Sequence, residues 1–526
     1  MFKNKILIFL SVAMILTVAS SSMLATGLLN QMSAMEEGYW YSRYNLGNLV
    51  MRSGMGEMFM PDMATMMKAL KSVDADFDPM KKGTAYGDGD HVVMPKNPAF
   101  LRNVYVSGDP HYISKFVASD FKTQRWNPKT FNKIFTGLAS GFTIIKEVEW
   151  AKQFHHDEHF GSAKDNFGAQ WRFVGMIMDF GAKMQASYFL NHQNEFDLSN
   201  GGDYLMMWAL SDLSNLLKVD KIPNSKTNRY KDVQASRMFQ KAADELSKMT
   251  KDEKLTTFKE KSLAIQSLIW YASSTDNEKN KKDAAVRIFS LFNNLKAMNP
   301  SNATQRAYSL AGLIEAKRVL KMNDVEAINK IASDFFKDFD FSKGFFNSQS
   351  TYSVDDVAVI VGTLNELLLF ENDKFGEQAG KTLVSFFENV VDKAGLQQSA
   401  PPLQIAKSPF EYENEPKIFF RYPSLPVPPM AGGKYGIAPV FASSVTYEDG
   451  MWKVNRRFDT AGAMHASNEM IWLHNDEING FPTVDLSKYY KSAETLTHAN
   501  NENISVIPWI VSAALIGVVV TLLMMK

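Results

Sequence analysis

The chain has 526 residues in which 57 Lys plus Arg balance 57 Asp plus Glu, so it offers neither a basic footprint for nucleic acid nor a single-sign face for a polyionic partner. It contains no cysteine, which excludes disulfides, covalent c-type haem, cysteine-ligated iron–sulfur clusters and thiol nucleophiles. Its length and apolar content allow two or three domains around ample cores.

Lys3 and Lys5 precede an apolar run at 6–29. Small residues at Ala19–Ser22 fit a cleavable signal peptide, while the continuation to Leu29 fits an N-terminal membrane anchor. A second apolar run, 504–526, ends in Lys526 and has the ~20 residues that a helix needs to cross a bilayer. With lysines marking the cytoplasmic side, the expectation is a membrane-anchored protein whose bulk is extracytoplasmic. Its expected partners are the membrane and other envelope or membrane proteins.

Residues 30–130 are mixed and loop-rich, with one amphipathic helix expected over Leu46–Leu70 and turn signals at Gly87-Asp88-Gly89-Asp90 and Gly108-Asp109-Pro110. Residues 131–398 read as an α-helical repeat body. Neither Gly nor Pro occurs between Pro223 and Pro300, and each would cost a helix interior ~1 and ~3 kcal/mol. Amphipathic segments recur at about 233–249, 254–273, 282–298, 303–321, 323–337, 354–372 and 376–394. Each is one-sided and must bury its stripe against a neighbour, so a succession of helical hairpins is expected. The fold class is therefore mainly α.

Beyond this body come a Pro-rich connection at 399–435, a small α+β module at 436–485, a polar stalk at 486–503 and the C-terminal transmembrane helix at 504–526. Nine of the nineteen prolines fall between Pro401 and Pro439 and exclude helix there. In the module, Ser444–Tyr447 and Met451–Arg457 read as strands joined at Glu448-Asp449-Gly450, with a helix over Thr460–Leu473.

The stretch Asp338–Leu396, with its Phe-Asp-Phe, its Gly344-Phe-Phe turn, the Thr351–Asp356 helix start and the Ala394-Gly395-Leu396 end, resembles one hairpin of the α/α-toroid class. That resemblance implies helix pairs closing into a ring and carries no chemistry with it. The hairpin Tyr447–Arg456 slightly resembles strand pairs in exported b-haem domains related to ethylbenzene dehydrogenase, which implies a noncovalent haem.

Three constellations offer chemistry. In Phe154-His155-His156-Asp157-Glu158-His159, His155 and His159 are four apart and face one way on a helix. With His156, Glu158 or Glu149 completing the shell, such a set favours copper, iron or zinc. The plain alternative is a polar helix end at Gly161. The methionines Met51, Met55, Met58, Met60, Met63, Met66 and Met67 contain soft ligands for Cu(I), yet Met51, Met55, Met58 and Met66 also fit a packed helix stripe. The carboxylates Asp88, Asp90, Asp109 and Asp203 sit at expected loops and are candidates for paired acid/base work on a glycosidic bond, though Asp beside Gly is first a turn former.

No phosphate loop, dinucleotide fingerprint, nucleophile elbow or His-Glu-x-x-His occurs; Gly376–Thr382 approaches the first but is one residue short. The function expected from sequence is therefore an extracytoplasmic, membrane-anchored binding or assembly protein with a metal site at the histidines. The alternatives are an exported metal- or haem-dependent redox component, or a glycan-acting hydrolase.

Overall fold

The computed structural model describes residues 100–112, 131–153, 166–219, 230–369, 372–398, 436–471 and 484–489, with scattered positions in 34–71 and 115–127. Its helices are α1 (Gly137–Gln153), α2 (Asn166–Asn191), α3 (Gly202–Lys218), α4 (Val233–Met249), α5 (Phe258–Ser274), α6 (Glu278–Lys296), α7 (Ala303–Leu320), α8 (Glu326–Asp338), α9 (Val354–Leu369), α10 (Asn372–Phe386) and α11 (Thr460–Ile471). A π-helical turn, Phe387–Lys393, continues α10. A further helical stretch lies among the described residues of 34–49.

Local chemistry sets the helix starts. Thr257 and Glu260 form a reciprocal capping box at α5, and the Asp232, Asn277 and Asn302 side chains accept from first-turn amides of α4, α6 and α7. Each such cap satisfies an orphan N–H and is worth ~1 kcal/mol. Burial then sorts the helices. In α4 the buried residues Ala235, Phe239, Ala243 and Leu246 form a single stripe, so the helix covers one neighbour. In α7 buried residues occur on nearly every side, so it must be surrounded.

The odd-numbered helices pack in a closed circuit: α1 on α3, α3 on α5, α5 on α7, α7 on α9, α9 on α11, and α11 back on α1. Each even-numbered helix packs on the odd helix before it. The 34–49 stretch supplies the cover for α11, with Ser42 Oγ donating to the Ser467 carbonyl at 2.8 Å and Asn45 Nδ2 to the Ala463 carbonyl at 3.1 Å.

The odd helices start at one common end, here the N-terminal rim. Gly137 opens α1 directly on Gly202, which opens α3. A Cβ at Gly137 would lie 2.7 Å from the Gly202 carbonyl carbon and 2.9 Å from its Cα. Gly137→Ala is therefore expected to lower the urea midpoint, at a cost of ~2 kcal/mol or more, because backbone rather than a flexible side chain must give way.

The short strands gather at this rim, in the connections that lead into odd helices. Thr351–Ser353, just before α9, pairs with Ser444–Glu448, which pairs with Met451–Asn455. Positive φ at Asp449 (53°) and Gly450 (76°) makes their link a type I′ turn. Phe458–Asp459, just before α11, pairs with Ser107–Gly108.

Three expectations are corrected. The Leu46–Leu70 helix is interrupted, because Gly54 takes φ 73° and Gly56–Phe59 is a strand paired with Phe100–Val104. Segment 436–485 has its strands and helix but is woven into the helical body, with α11 filling the place between α9 and α1. The stalk does not start at 486: Leu486 is fully buried and its N–H donates to the Val319 carbonyl. Among the described residues no helix is long and apolar enough to cross a membrane, and both terminal apolar runs lie outside those residues. The Pro-rich connection at 399–435 lies outside them too.

Candidate functional site

Inside the circuit, near the N-terminal rim, four odd helices bring ionisable side chains to one point. Lys259 comes from the first turn of α5, Tyr308 from α7, Asp355 from the first turn of α9, and His465 and Glu469 from one face of α11. Asp355 is the hub. Its Oδ2 accepts from Lys259 Nζ at 2.8 Å and from the Tyr308 hydroxyl at 2.7 Å, and its Oδ1 lies 2.9 Å from His465 Nδ1. The other imidazole nitrogen, Nε2, is 3.4 Å from Glu469 Oε1. Phe142 of α1 stacks on the imidazole at 4.4 Å and holds its plane.

The charges follow from these contacts. Burial alone would raise the Asp355 pKa, but the Lys259 ammonium and the His465 hydrogen bond hold it well below the usual carboxylate range. Burial opposes charge on His465, yet bonds to Asp355 and Glu469 outweigh it and lift its pKa to about 8. Burial, then the Asp355 charge, pushes the Tyr308 phenol up. These shifts favour the carboxylate at Asp355, the imidazolium at His465 and the neutral phenol at Tyr308.

Accessibility divides the set. The side chains of Lys259, Asp355 and Glu469 are 29%, 17% and 27% exposed, whereas His465 is 4% exposed. The first three can meet a ligand, and His465 and Tyr308 position them. Gly362 of α9 makes room for Glu469, since a side chain there would occupy the space of its carboxyl.

Further ionisable groups line the circuit below. Lys146 donates to the Ser42 hydroxyl and the Ser467 carbonyl; burial pulls its pKa well down against the pull of Glu149 and Glu469. Burial and the nearby Glu315 push Glu366 up, while Arg318 pairs with Glu315. Lys152 lies 2.7 Å from both Glu149 and Asp212 and 4.9 Å from the Trp270 ring centre, and Trp270 stacks on Trp208 at 5.9 Å. Burial, reinforced by Asp212 and opposed by Lys152, lifts Glu149 to about 8.

The candidates from sequence do not assemble this centre. His155, His156, His159, Glu158, Asp88 and Asp90 lie outside the described residues. Glu149, considered as a metal ligand, instead accepts from Lys152. Asp109 pairs with Arg457 in the strand layer, and Asp203 sits in the first turn of α3 accepting from the Tyr204 amide. Among the described residues no group of three or more His, Asp or Glu is placed to hold a metal. Met55 is fully buried and Met67 packs against the core, but Met55 lies outside any helix and Met58 in the strand Gly56–Phe59, so the expected helix stripe does not form there. Gly376–Thr382 lies within α10, which is not the geometry of a phosphate loop.

The residues missed were Lys259, Tyr308, Asp355, His465 and Glu469. Their one sequence signal was His465 and Glu469 four apart on an expected helix, and that spacing occurs on any polar helix face. Comparison with known proteins adds no relative: no family model, no curated protein and no solved structure matches the chain.

Proposed function

We propose that the circuit of odd helices inside its even-numbered shell is an α/α toroid, and that the chain is a membrane-anchored, extracytoplasmic binding protein whose ligand sits at the N-terminal rim. The observation that carries this reading is the convergence of Lys259, Tyr308, Asp355, His465 and Glu469 from four separate helices. A ring held together only by packing would fill that volume with apolar side chains, since buried charge costs stability unless it is paired. The site mixes basic and acidic side chains, donors with acceptors, at hydrogen-bonding distance. That pattern favours a neutral, hydroxyl-rich ligand over a free ion, and glycans are the abundant ligands of this kind outside the cytoplasm.

The test is thermal unfolding of the full chain in mild detergent with neutral malto-, cello- and chito-oligosaccharides. At least one series is expected to raise the Tm of the wild type. Glu469→Gln, which also removes a partner of His465, should lose the shift whatever its own unliganded Tm. A wild type whose Tm none of the three series moves would overturn the glycan reading.

A further inference from the structure

The direction of two peripheral segments orients the molecule. Along the 34–49 stretch, Ser42 meets Ser467 and Asn45 meets Ala463, so numbers rise in one helix as they fall in the other and the two run antiparallel. Residue 34 therefore lies toward Ile471, at the end where the odd helices finish. The C-terminal segment docks at that same end. Leu486 bonds to Val319 and Asp485 pairs with Lys321, both at the finish of α7, while Lys488 and Tyr489 reach Glu278 at the start of α6. Both ends of the body thus leave from one rim.

Outward from those ends the chain continues into the two apolar runs. From 29 to 34 the chain can span at most ~18 Å. An odd helix such as α5, with 17 residues, is ~26 Å long. Residue 29, the end of the N-terminal run, therefore cannot reach the opposite rim. The C-terminal step, from 489 to 504, is longer, at up to ~50 Å, but starts from the same side. The described strands Ser107–Gly108 and Phe458–Asp459, the latter just before α11, lie instead at the other rim, where the charged centre lies.

We propose that the C-terminal rim of the ring rests against the membrane, with a lipid bilayer as its partner surface, and that the Lys259–Asp355–His465–Glu469 site faces away from it. Three lysines of this rim are paired: Lys218 with Asp276, Lys321 with Asp485 and Lys488 with Glu278. Attachment then comes from the apolar runs rather than from attraction to anionic lipid. The orientation rests on the anchoring part of the proposed function.

The chain lacks cysteine, so single labels are unambiguous. Asp276→Cys places a fluorophore at the membrane-side end of α5, and Glu253→Cys places one at its other end. Each full-length variant is reconstituted into phosphatidylcholine vesicles carrying a nitroxide on the lipid headgroup, floated on a density gradient and read for quenching. The expected result is loss of fluorescence at Asp276→Cys and little loss at Glu253→Cys, unchanged in high salt. Equal quenching, or stronger quenching at Glu253→Cys, in protein that floats overturns the orientation and leaves the anchoring standing. Protein that stays at the bottom of the gradient overturns the anchoring, and the orientation with it.

Discussion

Asp355→Ala is expected to lower the unfolding free energy by ~3–5 kcal/mol, the largest loss from any single change at the rim. Its carboxylate is the common acceptor for Lys259, Tyr308 and His465. Truncation leaves a phenol buried without an acceptor and two cations without their shared anion. Asp355→Asn should cost less, because its amide oxygen can still accept from one donor. Urea unfolding of the three proteins at pH 7 measures the order. An NMR titration of the variants should also find the His465 pKa lowered from about 8, since the bond to Asp355 is the foremost influence raising it. If Asp355→Ala unfolds like the wild type, the hub is not what holds the four helices together at this end.

The second large effect is on pH dependence. The His465 pKa is about 8 in the fold against 6.5 without its surroundings. A raised folded value means that its contribution is complete below pH 6.5 and lost as pH rises through 8. The difference corresponds to ~2 kcal/mol, and at 4% exposure little of it is screened by solvent. Glu149 acts in the same direction, because a buried carboxyl lifted from 4.5 to about 8 also favours the fold on the acid side. Lys146, whose pKa burial pulls well down, acts the other way, so the His465 contribution is read as a difference between wild type and variant. The excess stability of the wild type over His465→Gln should be ~2 kcal/mol smaller at pH 9 than at pH 6. Unfolding midpoints collected across that range decide it. A gap between the two proteins that does not change with pH would show that the fold does not raise the His465 pKa.

The legible part of this protein is its periodicity. The segment expected at 233–249 coincides with α4, and those expected at 303–321 and 323–337 match α7 and α8 to within a few residues. Apolar spacing, caps and the absence of Gly and Pro act within one or two turns, so they can be read along the chain. The hairpin turn at Asp449-Gly450 was legible for the same reason. The Leu46–Leu70 helix was misread because helical spacing of methionines concealed Gly54 and Gly56. At Gly56 the backbone lies so close to Asn103 of the paired strand that a side chain would collide.

The site was not legible. Asp355 reads as an ordinary acidic residue in a helix's first turn, favourable there with or without partners. His465 stands alone in a segment that looked like a small separate module. Lys259 and Tyr308 are unremarkable on amphipathic helices. They become a centre only because α11 closes the circuit between α9 and α1, carrying His465 and Glu469 to helices more than a hundred residues earlier in the chain.

By itself, then, the sequence determined the helix-rich class, the positions of most helices, the exclusion of thiol chemistry and the two apolar runs on which the proposed anchoring rests. All of these are set by local composition and spacing. The tertiary structure alone decided which charges meet, which buried carboxyls are pushed toward the protonated form, and which rim carries residues 34 and 489. Those depend on contacts between residues far apart in the chain, and on the low dielectric that only the closed ring supplies.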